Sequence, residues 1–233
     1  MQLEHLSKIL LMILPLVFAI TIHESSHGFV ALYYGDDTAK SMNRLSLNPM
    51  NHIDPVGTIL IPLMMLFFSV GSGYSLPFIF GWAKPVPVNP RNFNNYKIGN
   101  RMVAISGPLS NLIMVFAWGL LLVLSFIMGY NKIIFAEPLR LMCLYGIEFN
   151  AVFFVLNMLP ILPLDGAQFI DSFLPVKYSL AFHKIEPYGS WIILVLLIAG
   201  ILPKLIYPIV SYIERFAYYK FSGAIYSFII NIF

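Results

Sequence analysis

Hydrophobic residues run through this chain in long uncharged blocks, Pro55 to Ala83, Met102 to Asn131, Phe149 to Leu164 and Pro187 to Pro203, separated by short polar stretches. A bilayer-crossing helix needs about 20 apolar residues, so blocks of this kind predict membrane spans rather than the apolar stripes of soluble helices. A first helix is predicted over residues 3–34, ending at Gly35 and the stretch DDTAKSMNRLSLNPMNHIDP, rich in helix-breaking Asp, Asn and Pro. Residues 102–130 form the clearest span, and a second, 139–162, runs on to the Asp-Gly at 165–166. Two C-terminal stretches, 188–202 and 207–233, follow.

The region 36–100 reads differently. Its apolar run VGTILIPLMMLFFSV is only 15 residues long, is interrupted by Pro62 and gives way to GSGYS. The following LPFIFGWAKPVPVNP carries alternating prolines that suit extended backbone. The expected architecture is a single domain over residues 1–233: an all-α polytopic membrane protein of five to six transmembrane helices, with a re-entrant or β-like membrane segment between the first span and the second.

Composition sharpens this. Only 11% of the 233 residues are charged, against about 25% in a soluble domain, which excludes an ordinary soluble globule. The net charge of +3 is spread over short loops with no basic block, so nucleic acid is not an expected partner and the lipid bilayer is. The one cysteine, Cys143, sits in an apolar stretch, where it fills the core. The opening MQLEHLSKILLMILPLVFAI has the size of a signal peptide, but its single Lys is offset by Glu4 and no small-residue cleavage site follows, so it is expected to remain as helix.

The chemistry enters at TIHESSHGF. His23 and His27 lie four residues apart, so on a helix both imidazoles project from one face and can close on one metal ion, with Glu24 beside them. Neutral imidazole suits zinc, and a catalytic zinc keeps three protein ligands and leaves a fourth position to water, whose proton Glu24 would take. Such a cluster near the end of an apolar helix costs several kcal/mol unless it is paired or functional. A third ligand is therefore expected among the acids and histidines bordering the spans: Asp54, Glu148, Asp165, Asp171, Glu186, Glu214, His52 and His183. Asp165 stands out in NMLPILPLDGAQF, where Pro160 and Pro163 break the helix and Gly166 permits close backbone approach. Capping of the next helix is the alternative role for that aspartate.

These motifs resemble those of the site-2 protease group, peptidase M50, of intramembrane zinc metalloproteases. The resemblance runs from HESSH through GPLSN at residues 107–111 to Asn157-x-x-Pro160-x-x-Pro163-x-Asp165-Gly166, and includes NPMNHIDPVG and GWAKPVPVNP of compact prokaryotic members that lack PDZ and CBS domains. It implies one Zn2+ per chain held by His23, His27 and Asp165, with Glu24 as catalytic base and acid. It also implies that Asn111 and Asn157 help to hold a substrate strand or the oxyanion, although an Asn within a span often serves only to bond another helix. His52 and Asp54 match a loop motif with a possible gating or auxiliary-ligand role, a turn before Pro55 being the simpler reading. His5 and His183 are read as interfacial side chains.

The metal site constrains topology. Asp165 must reach the depth of His23 and His27, so an even number of crossings separates them. Spans 102–130 and 139–162 supply two, which leaves Val56 to Ala83 with no net crossing. The motif side then carries Lys40, Arg44, Lys84, Arg91, Lys97, Arg101, Lys177 and Lys184, eight cations against Lys8, Lys132, Arg140 and Lys204 opposite. By the positive-inside rule that side is cytosolic, in a multi-pass protein of the cytoplasmic membrane with its active site within the bilayer near the cytosolic face. The expected activity is hydrolysis of a peptide bond in or next to a transmembrane segment of another membrane protein. A metal transporter or sensor built on the same His/His/Asp site is the alternative, and an inactive scaffold a further one. The sequence leaves the substrate, the cut site and the oligomeric state open.

Overall fold

The computed structural model describes residues 2–60, 64 and 84–231, and no strand occurs among them. Helix α1 spans Gln2–Tyr33, α2 Thr38–Ser41, α3 Tyr96–Tyr130 and α4 Ala136–Asn157. Short α5 (Asp165–Asp171) and α6 (Val176–His183) lead to α7 (Glu186–Ile198). Helix α8 (Ile201–Arg215) continues through the wider π-helical turns of Phe216–Ser222 into α9 (Gly223–Ile230).

Among the described residues, three helical stretches are long and apolar enough to cross a membrane: Leu10–Tyr33, Tyr96–Tyr130 and Ala136–Asn157. The pair α6 and α7, bent by 56°, passes the same test together. At 1.5 Å per residue the 35-residue α3 is about 50 Å long, well beyond a hydrocarbon core of about 30 Å, so part of it lies outside that core. The chain is a helical membrane protein. The expected re-entrant segment falls largely on residues 61–83, which lie outside the described residues apart from Met64.

Helix ends follow local chemistry. Helix α1 stops in a Schellman-type turn, with Asp36 N–H donating to Ala31 O at 2.9 Å and Gly35 at φ +105°, a conformation that glycine adopts without a Cβ penalty. Helix α3 begins six residues before the predicted 102, because the Asn95 side chain accepts from Ile98 N–H at 3.1 Å and caps the extra turns. Helix α4 ends at Asn157 rather than running on to 162 or 166. Pro160 and Pro163 keep residues 158–164 out of the helix, and Asp165 opens α5 instead. The C-terminal stretch breaks at Gly200, whose φ is +68°.

The chain forms two compact units. One comprises residues 1–19, 108–158 and 205–233 and buries the hydrogen-bonded pair Asn111 and Asn150. The other comprises residues 20–107 and 159–204 and contains the chemistry-bearing half of α1, the start of α3 and the whole of α5.

Candidate metal centre

In the second unit, the helical spacing of HESSH puts the imidazoles of His23 and His27 on one face of α1, their Nε2 atoms 3.2 Å apart. The first turn of α5 brings Asp165 Oδ2 to 3.0 Å from His23 Nε2 and 3.4 Å from His27 Nε2. These three residues form the metal-capable group among the described residues. Both imidazoles are largely withdrawn from solvent, as is the carboxylate.

The donor set and its spacing suit zinc. Tetrahedral coordination at the usual zinc–ligand distances of 2.0–2.1 Å places ligand atoms about 3.3 Å from one another, the separation these three atoms already have. The His27 tautomer is fixed by its outer partner: Nδ1–H donates to the Val103 carbonyl at 2.8 Å, with Ser106 Oγ 3.4 Å from the same nitrogen. A carbonyl can only accept, so Nδ1 carries the hydrogen and Nε2 is left with its lone pair toward the site. Helix α3 approaches at Gly107, where a Cβ would stand 2.6 Å from His23 Nε2 and would also overlap His27. That space, faced by both Nε2 atoms and left clear by a glycine, is where a metal ion fits.

Glu24 follows His23 on α1, and its Oε2 accepts the backbone N–H of Val86 at 3.0 Å. Val86 belongs to the stretch Lys84–Asn89, which lies outside helix and strand.

Comparison with known proteins agrees with this geometry. The chain is 36% identical over 201 residues, 86% of its own length and 85% of the relative's, to YwhC of Bacillus subtilis (strain 168), which is named as a zinc metalloprotease. The chain belongs to the site-2 protease family of zinc metalloproteases. It is also 23% identical over 225 residues to Rip2 of Mycolicibacterium smegmatis, likewise named as a zinc metalloprotease, covering 95% of this chain and 77% of the relative. Rip2 of Mycobacterium tuberculosis (strain H37Rv) is 24% identical over 189 residues, 78% of this chain and 64% of the relative. No family model matches, and no solved structure matches significantly.

The remaining predicted residues of this site-2 protease occupy other environments. His52 is buried, with Nε2 2.6 Å from Ser46 O and 3.4 Å from the Ser25 hydroxyl, while its own carbonyl accepts Lys84 N–H at 3.0 Å. It therefore braces the loop behind the HESSH turn against the segment that reaches Glu24. Asp54 Oδ1 accepts the N–H groups of Val56 and Gly57 at 3.0 and 2.7 Å, capping the turn that starts at Pro55.

Asn111 and Asn157 lie in the first unit. Asn111 is fully buried, donating to Ala19 O at 3.2 Å and to Asn150 Oδ1 at 2.9 Å, so it ties α1, α3 and α4 together there. Asn157, the last residue of α4, donates to Phe153 O at 3.0 Å.

The Val103 carbonyl had no sequence signal of its own, and Gly107 was visible only as the first residue of GPLSN, with nothing to mark its approach to the histidines. The Val86 amide left a trace, since Pro85 and Pro87 make Val86 the one amide donor between Lys84 and Val88.

Proposed function

We propose that this site-2 protease hydrolyses peptide bonds within or next to transmembrane segments of other membrane proteins, with His23, His27 and Asp165 as zinc ligands and Glu24 as base and acid. The observation that carries this is the convergence of three ligand atoms at tetrahedral spacing beside a carboxylate, at the end of an apolar helix. Zinc at such a site supplies Lewis acidity, lowering the pKa of a water to about 7 and polarising the scissile carbonyl. Glu24 accepts the proton of the attacking water and passes it to the departing amide nitrogen. Val103 keeps the His27 ring oriented, and Gly107 keeps the reaction space clear.

A transmembrane helix hides its carbonyls in its own hydrogen bonds, so the substrate must be locally extended to be cut. With Lys84 and Val86 each biased to extended backbone by the proline that follows, alternation would put the Val86 carbonyl and the Val88 N–H on the edge that faces Glu24, and neither makes a hydrogen bond among the described residues. This favours docking of an unwound segment as an added strand along Lys84–Asn89. Val88→Pro should then raise KM with zinc retained, and an unchanged KM would dispose of strand addition.

The domain reading is a single membrane protease over residues 1–233 with five to six spans and a re-entrant stretch between the first two, set in the cytoplasmic membrane with the site nearer the cytosol. Crossing parity and the cation bias support it.

The deciding experiment is cleavage of a reporter transmembrane peptide by the purified protein in liposomes, wild type against Glu24→Gln, with bound zinc quantified. Cleavage by wild type alone, zinc retained in both and activity lost on chelation, is expected. Zinc flux that persists in Glu24→Gln without any cleavage would favour a transporter instead.

A further inference from the structure

We propose that the backbone N–H of Val86 is a positioning group for Glu24, holding one carboxylate oxygen so that the other is presented to the attacking water. The inference rests on Glu24 as base and adds what aims it. The contact joins residues 62 positions apart and is a 3.0 Å bond from Val86 N to Glu24 Oε2. An acceptor so engaged cannot rotate freely, and Oε1 is left as the oxygen that can take a proton.

The surroundings are built for this one bond. Prolines at 85 and 87 have no N–H and keep the backbone extended, so Val86 alone in that triplet can donate, and register is set by it. The segment is fastened on both sides of the contact. Lys84 N–H donates to His52 O at 3.0 Å, Arg44 Nη2 donates to the carbonyls of Lys84 and Pro85 at 3.1 and 3.3 Å, and Asn89 N–H donates to Asp36 Oδ2 at 2.7 Å. On the helix side the close approach depends on Gly28, one turn beyond Glu24, where a Cβ would lie 2.9 Å from Val86 Cγ1. The Val86 side chain is itself buried, so its amide is anchored by packing as well as by its neighbours.

The test compares Val86→Pro, which deletes the N–H, with Val86→Ala, which keeps it while trimming the side chain. Both are assayed as full-length protein in liposomes with a reporter transmembrane peptide, reading kcat, KM and zinc content. Val86→Pro should lose about 10²-fold in kcat, the scale of a misplaced catalytic group, with zinc and KM retained, and Val86→Ala far less. Equal losses in the two variants would reduce the contact to packing, and an unimpaired Val86→Pro would remove it altogether; either overturns the inference. If Val86→Pro also sheds zinc, a backbone ester at residue 86, which replaces only the N–H, decides. A fall in kcat with zinc in place supports the positioning role, and no fall rejects it. Wild type and Glu24→Gln of equal activity would instead overturn the base itself, and this inference with it.

Discussion

At the scale of single residues, the site depends on atoms that are absent as much as on atoms that are present. Gly107 is the sharpest case, because a methyl group there would occupy the space bounded by the two histidine Nε2 atoms. Gly107→Ala is therefore expected to lower zinc from about one ion per chain to well below it, with helix content by circular dichroism unchanged. Full zinc in that variant would mean that α3 does not approach the histidines this closely. Asn111 poses the opposite problem, a polar side chain fully buried among apolar helices. Asn111→Ala leaves Asn150 Oδ1 and the Ala19 carbonyl without this donor. Such bonds between membrane helices average about 0.6 kcal/mol and reach about 1.7, so resistance to denaturant should fall by about that much. A variant as stable as wild type but impaired in KM would instead favour the substrate-holding role.

Between elements, Asp36 does the fastening. It follows the end of α1, is buried, and accepts from the backbone N–H and hydroxyl of Thr38, from Asn89 N–H and from the Asn92 amide. It thus pins the far end of the Lys84–Asn89 stretch to the helix that carries HESSH. Burial opposes ionisation, but these donors outweigh it and hold the Asp36 carboxyl below its ordinary value. A carboxylate more acidic folded than unfolded contributes stability that is complete above the unfolded value of about 4 and lost as pH falls through the folded one. Asp36→Asn should lower stability in detergent at pH 7 by about 2 kcal/mol, the scale of hydrogen bonds to a charged group. The gap between variant and wild type should close as pH drops below about 4, and a gap independent of pH would exclude a role for the charge.

Much of this element-level order is legible in the chain, for identifiable reasons. HESSH works through helical periodicity, a local property, and Asp165 is marked by the prolines that end α4 and start a new helix in front of it. The extended character of Lys84–Asn89 is written in its alternating prolines. The Val86–Glu24 bond and the bare face at Gly107 are not legible, because they depend on how segments 60 or more residues apart pack together. Asn111 reads as a site residue from its motif, and only the packing of its helix reveals the bonds to Ala19 and Asn150.

For the whole molecule, the decisive quantity is the parity of membrane crossings between HESSH and Asp165. His23 and Asp165 share a depth because their side chains are in contact, and α3 and α4 are each long and apolar enough to cross once. On the proposed topology these two crossings return the chain to its starting side, and the stretch between α2 and α3 adds no net crossing. Cysteine accessibility tests this directly, since the native Cys143 is buried and leaves introduced thiols as the reporters. Exposed Lys40 precedes the segment, exposed Asn131 lies between α3 and α4, and exposed Lys177 follows Asp165. Lys40→Cys and Lys177→Cys should react with an impermeant maleimide from one face of sealed vesicles, and Asn131→Cys from the other. On the proposed orientation, in which the positive-inside bias assigns the shared face to the cytosol, Lys40→Cys and Lys177→Cys should label in inverted vesicles. If Lys40 reports the face opposite Lys177, an odd number of crossings separates them, the proposed parity fails, and the depth of the metal centre must be assigned anew.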